Sequence, residues 1–270
     1  MRMPGFFLTL IAGLGGLAVP ARAADRLILA TTTSTQDSGL LDALLPAFEA
    51  ATHIQVRTIA VGSGEAMAMG RSGDADVLLV HSPAAEEAFM ADGQGLLRRA
   101  VMHNDFVLIG PPADPARVRG GSAGDAFRRI AAASAAFVSR GDRSGTHQME
   151  LTLWKRAGVD PAGQPWYAST GQGMGETARI AVERQAYTLI DRGTYLAMGA
   201  QIGLPILCEG GPSLQNPYHV IVVSPAKHPR VHAQAARRLA DWLVSPETQR
   251  RIGDYGRSKY GRPLFVPDVR

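Results

Sequence analysis

Nine consecutive residues, Ser139-Arg140-Gly141-Asp142-Arg143-Ser144-Gly145-Thr146-His147, crowd an arginine fork, hydroxyls and glycines into one small volume. Guanidinium, hydroxyl and backbone N–H groups are all donors, so the chemistry they suit is capture of a negative charge. Asp142, two residues after Arg140, is placed to orient the fork. Ser144 and His147 lie three apart at the start of a predicted helix. That spacing suits an N-cap turn better than a nucleophile–base pair.

Two other stretches share this design. ATTTSTQDSG (30–39), AVGSGEAM (60–67) and FVSRGDRSGTHQ (137–148) each follow an apolar strand, lead into a helix and are packed with Ser, Thr or Gly. A helix N-terminus leaves N–H groups unpaired and carries partial positive charge, so it accepts an anion readily. One such corner is weak evidence, because Ser and Thr are the commonest caps. Three, one with an arginine, favour an anion pocket. Asp76 is open to three readings: a solvent-facing strand end, a partner of Arg140, or an acceptor for a ligand proton.

Catalytic alternatives fail on context. Gly120-Gly121-Ser122-Ala123-Gly124 matches the nucleophile elbow by letter, but PADPARVR before it is not a strand. Gly171-Gln172-Gly173-Met174-Gly175 lacks both the last glycine of a dinucleotide loop and the strand it needs. The histidines, His219, His228 and His232 among them, show no metal-ligand spacing. An exported hydrolase using Ser144 is the reading from a different function class.

The elements that must position these corners alternate as strand, corner, helix. Strands are expected at 27–31, 54–61 and 76–80, and helices at 38–52, from Ser63 and at 83–93. A second set follows: a helix near 122–133, the strand AFVS, a helix from Ser144 to Ala157, the GQGMGE corner opening another helix, and strands at 187–190 and 204–208. Two helices, near 229–245 and 246–256, close the chain. Such alternation predicts α/β layers with largely parallel pairing. NDFVLIGP (104–111) and NPYHVIVVSP (216–225) read as strands on which the chain crosses between lobes, at about 105–110 and 217–223. Lobe one would comprise 24–105 plus 221–270, and lobe two 106–220.

Composition sets the remaining bounds. The 270 residues are 46% hydrophobic and 19% charged, ordinary for a packed protein. Residues 1–23 read as a secretion signal: Arg2, an apolar run from Phe6 to Val19, then Ala21 and Ala23 at cleavage spacing. No cysteine follows that run, so no lipid anchor is expected there. Cys208 stands alone, which excludes an intramolecular disulfide or a thiolate cluster. The net charge of +4 includes Arg2 and Arg22 of the signal, and the rest is scattered. Arg237-Arg238 and Arg250-Arg251 read as solvated helix faces, and no basic stripe supports nucleic-acid binding.

The stretches ATTTSTQDSGLLDALLPAFE, IAVGSGEAMAMGRSGDADVLLVHSPAAEEAF, VMHNDFVLIGP, SRGDRSGTH, STGQGMGETARIA and YTLIDRGTYLAM span most of residues 29–225. In combination they resemble the periplasmic tungstate-binding proteins of Tup-type ABC transporters. The resemblance implies a two-lobe α/β binding-protein fold that closes on one tetrahedral oxyanion, tungstate or molybdate. It further implies a periplasmic monomer with no cofactor that serves a membrane permease. Its ligand segments fall on Thr31 to Ser34, on Ser63 and on Arg140. The candidate donors are therefore Thr32, Thr33, Ser34, Ser63, Gly64, Arg140, Ser144, Gly145 and Thr146. Ser63 stands where the family often has threonine, and Arg143 where it often has an acidic residue. Arg140-x-Asp142-x-Ser144-Gly145-Thr146 also resembles the oxyanion loop of periplasmic phosphate-binding proteins, the alternative reading. Phosphate still carries a proton near neutral pH and needs an acceptor carboxylate, whereas tungstate carries none.

Overall fold

The computed structural model describes residues 26–269; the expected signal segment lies outside them. The first half alternates as expected: β1 (Arg26–Thr32), a short α1 (Thr33–Asp37), α2 (Leu40–Thr52), β2 (Gln55–Val61), α3 (Ser63–Ser72), β3 (Val77–Val80) and α4 (Pro83–Ala91). Next come β4 (Gly95–Ile109), α5 (Ala123–Ala132), β5 (Phe137–Ser139), α6 (Gly145–Ala157), β6 (Tyr167–Ser169), α7 (Met174–Glu183), β7 (Thr188–Asp191) and α8 (Arg192–Met198). The chain ends with β8 (Ile206–Cys208), β9 (Gln215–Val223), α9 (Ala233–Leu243), α10 (Pro246–Asp254), α11 (Arg257–Tyr260) and β10 (Val266–Pro267).

The main sheet runs β10-β4-β9-β3-β1-β2, with β7 and β8 also paired to β4. β1 is parallel to β2 and β3, and β5 to β6. Every pairing of β4 and β9 is antiparallel, which corrects the expectation of largely parallel order. The reason lies in β4, a strand of 15 residues that serves two lobes. Its residues from Gly95 to Asp105 pair with β9, and those from Phe106 to Ile109 pair with β7 and β8. Chain leaving the first lobe on β4 and returning on β9 must run in opposite directions. Residues 217–223, expected as the return crossing, pair with β4, and His219 to Val222 pair with β3 as well.

The buried apolar side chains divide the same way. Leu40, Leu44 and Phe48 of α2 and Ala236, Leu239 and Leu243 of α9 pack with Leu27, Leu29 and Val220 around the first sheet. Phe106 and Leu108 of β4 pack instead with Phe127, Phe137, Leu153 and Trp154. Each of these leucines and phenylalanines, fully buried, stabilises its lobe by about 1.5–3 kcal/mol. At the crossing, the nearly buried Arg192 forks onto both oxygens of Asp105, at 2.6 Å each, and reaches Glu209 at 2.7 Å.

Parallel order in β1–β3 has one consequence for chemistry: their carboxyl ends share one edge, as ligand sites in α/β sheets require. Asp76 lies at the other end. It is 5% exposed. One oxygen accepts the Ile28 N–H and the other the His232 N–H, both at 2.7 Å. It braces β1 to the approach of α9, which answers the three readings open in the sequence. Asp76→Ala would leave both N–H groups unpaired, and hydrogen bonds to a charged group contribute about 1.5–3 kcal/mol each. Denaturant unfolding should show stability lowered by about 2–4 kcal/mol, with ligand affinity of the folded fraction intact. A selective loss of affinity at full stability would place Asp76 at the ligand instead.

Candidate functional site

Three helix starts meet in the cleft. Thr32 ends β1 and caps α1, its Oγ1 accepting Thr35 N–H at 3.3 Å and lying 2.7 Å from Thr35 Oγ1 and 3.2 Å from Ser34 Oγ. Ser63 opens α3 after the extended Gly62. Ser144 caps α6, so Gly145 and Thr146 form its first turn. Thr32, Ser34, Ser63, Arg140, Ser144 and Thr146 are all buried.

The lobes touch at these corners. Gly145 of the second lobe donates its N–H to Ser63 Oγ of the first, at 3.2 Å. A Cβ on Gly145 would lie 2.8 Å from His81 Cε1 and 3.1 Å from Ser63 Oγ, so only glycine permits this approach. Gly64 faces Arg143 O across the same gap; with Gly62, Glu65, Asp142 and Arg143 it lines the cleft mouth.

Arg140 is the charge of the site, 4% exposed. Its Nη2 donates to Asp142 Oδ2 at 2.5 Å, while Asp142 Oδ1 accepts Ser144 N–H at 3.1 Å. Partial burial alone would raise the Asp142 carboxyl; its Ser144 hydrogen bonds and the Arg140 charge outweigh this and hold it below the usual range. The guanidinium field also opposes the burial that raises Asp37 and Asp191. Two buried donors here have no protein partner, Arg140 Nε and Thr146 Oγ1. A third such atom, Asn104 Nδ2, lies at the junction of the lobes.

Of the expected residues, Thr32, Ser34, Ser63, Gly64, Arg140, Gly145 and Thr146 come to this cleft. Thr33 opens α1 half-buried, and its side chain is outside the hydrogen-bond cluster. The Ser144 hydroxyl is engaged with Asp142 and with His147 N–H, the latter at 3.3 Å. His147 Nδ1 in turn accepts Arg143 N–H at 3.0 Å. These two residues form a helix cap, and the serine–histidine enzyme reading has no base to rest on. Among the described residues no cluster of His, Cys, Asp or Glu is fit to hold a metal cation.

His81, Thr35, Asn216, Tyr218 and Asn104 were not singled out from the sequence. His81 directly follows β3, with Nε2 3.2 Å from Thr32 Oγ1 and Nδ1 2.8 Å from Asn216 Oδ1. Its position, the first residue past a strand at the carboxyl edge, was the available signal. Burial pulls the imidazole down to about 4, opposed by Asn216 and Glu86 and aided by the Arg140 charge, so it is neutral at pH 7.

The family model described as PBP superfamily domain matches residues 18–247. The tungstate-binding protein TupA of Peptoclostridium acidaminophilum is 50% identical over 251 residues, covering 92% of this chain and 87% of that protein. This chain belongs to the TupA family of the PBP superfamily. Among solved structures, the tungstate ABC transporter protein from Geobacter sulfurreducens is similar at 50% identity and a TM-score of 0.79, covering 86% of this chain and 100% of that one. The TupA tungstate-binding protein of Desulfovibrio alaskensis G20 is 48% identical, with a TM-score of 0.80 over 92% of this chain and all, 100%, of its own. The TupA family consists of substrate-binding proteins, so the chain is not an enzyme.

The contact at Gly145 gives a direct test. An added methyl would strain the closed form by about 1–3 kcal/mol, and each 1.4 kcal/mol is a decade of affinity. Gly145→Ala should therefore weaken oxyanion binding by about tenfold to a hundredfold, while the melting temperature of the ligand-free protein stays put. Undiminished affinity would mean that the corners do not meet this closely when ligand binds.

Proposed function

We propose that this chain is the solute-binding component of an ABC importer and captures tungstate as a tetrahedral dianion, with molybdate bound in the same way. The observation that carries this is the pair of buried donors without protein partners, Arg140 Nε and Thr146 Oγ1, at the meeting point of three helix starts. An oxyanion bound there would accept from Arg140 and Thr146, from Ser34 and Ser63, and from N–H groups of the α3 and α6 first turns. Thr32, Thr33, Ser144, Gly64 and Gly145 shape these turns. The names of the three relatives described above, each a tungstate protein, support the choice of ligand.

The acceptors present argue against phosphate. Asp142 is held by Arg140 and Ser144, Asp191 by Thr194 N–H and hydroxyl, and Asp76 lies at the far end of its strand. None of these three is free to take a ligand proton, and Glu65 stands at the cleft mouth rather than among the buried donors. A donor-only pocket suits a dianion that carries no proton.

Two lobes closing on one ligand give the closed form its extra affinity. We place the first boundary at Asp105–Phe106, where β4 changes partners from β9 to β7, and the return at Gln215, which pairs with Asp105. The expected second boundary, at 220–221, is shifted accordingly. Export on the 1–23 segment, action as a periplasmic monomer and delivery to a membrane permease complete the reading.

Calorimetric titration of ligand-stripped protein with tungstate, molybdate, sulfate and phosphate tests it. Tungstate and molybdate should bind one per chain, far more tightly than the other two. Arg140→Ala removes at least the charge-assisted bond from Nε, worth about 1.5–3 kcal/mol, so affinity should fall about tenfold or more. His81 is already neutral and arginine stays charged, so tungstate affinity should be flat from about pH 7 to 9. Phosphate displacing tungstate at equal concentration would overturn the assignment.

A further inference from the structure

We propose that His81 is a positioning residue of the anion pocket: its Nε2 accepts a hydrogen bond from the Thr32 hydroxyl and thereby frees the Ser34 hydroxyl to donate to the bound oxyanion. The inference rests on the reading of the cleft as an oxyanion site and follows from counting protons. Asn216 Nδ2 donates both of its protons, to Asn104 Oδ1 at 2.7 Å and to Tyr218 OH at 3.0 Å. Its Oδ1 is therefore the acceptor that faces His81 Nδ1 at 2.8 Å, and Nδ1 carries the ring proton.

With Nδ1 protonated and the ring uncharged, Nε2 has only a lone pair. Thr32 must donate to it, and Thr32 Oγ1 then accepts from both the N–H and the hydroxyl of Thr35. Its capacity is full. Ser34, with its Oγ 3.2 Å from Thr32 Oγ1, therefore cannot donate to Thr32. The Ser34 proton points to the ligand. The same ring lies beneath Gly145 of the other lobe and 4.6 Å from the Tyr218 ring. A chain of directed hydrogen bonds thus runs from Asn104 and Asn216, on the two strands nearest the crossings, to the pocket. The charged groups facing the imidazole, Glu86 and Arg140, oppose each other, and burial keeps it neutral.

Two readouts test this. Long-range 1H–15N correlation spectra of the ligand-free protein should show His81 as the neutral Nδ1–H tautomer from about pH 6 to 8. The Nε2–H tautomer or an imidazolium would overturn the proposal without any variant. Tungstate titration of Thr32→Val, His81→Gln and the double variant should then show affinity losses of about tenfold or more in each single. The double should bind no worse than the poorer single, because both act through one hydroxyl. Losses that multiply, or wild-type affinity in His81→Gln, would also overturn it. Wild-type protein that fails to bind tungstate would defeat the functional reading alone, since the tautomer is read without ligand.

Discussion

The structure turns on one buried guanidinium. Arg140 is taken almost entirely out of water, and the effective penalty for burying an ion is several kcal/mol. Asp142 offsets part of it through one nitrogen, leaving Nε as a donor aimed at something else. On the proposed reading, an anion entering the cleft would complete the pairing in a low-dielectric site, where charge-assisted bonds are strong. Asp142 is held in turn by Ser144 at the start of α6, so loop, charge and helix terminus act as one unit.

That unit needs an opposing surface. The parallel strands β1, β2 and β3 supply it by ending together, with Thr32, Ser63 and His81 at or just past their carboxyl ends. The contact sets Gly145 on the His81 ring and its N–H on Ser63, so at this point the second lobe meets a hydroxyl and a neutral imidazole. The Arg192 fork on Asp105 sits at the crossing, away from the ligand donors, where it ties the end of the shared strand to the second lobe.

What was legible in the sequence was local chemistry. Runs such as TTTST and SRGDRSGTH declare helix starts rich in donors, and the structure gathers them. Strand β4 was half read: Arg98 and Arg99 interrupt its apolar pattern, and only the partners Glu86 and Asp241 show how a strand tolerates them. β6 is three residues long and half exposed, too brief for periodicity to mark. Parallel order was inferred from alternation alone, which says nothing about two strands that run opposite because the chain crosses out and back. Asp76 and His81 carry no local signature, since their roles come from partners up to 156 residues away. His81 could have been found by asking which polar residue ends a buried strand at the carboxyl edge.

The central claim is that one oxyanion sits between Arg140 and the three helix starts. Diffraction from tungstate-loaded crystals at the tungsten absorption edge measures this directly. The account predicts a single tungsten peak per chain, about 4 Å from Arg140 Nε and from Thr146 Oγ1, the separation set by one oxygen between metal centre and donor. A peak at the cleft mouth beside Arg143, or one that leaves Arg140 Nε unpaired, would contradict it.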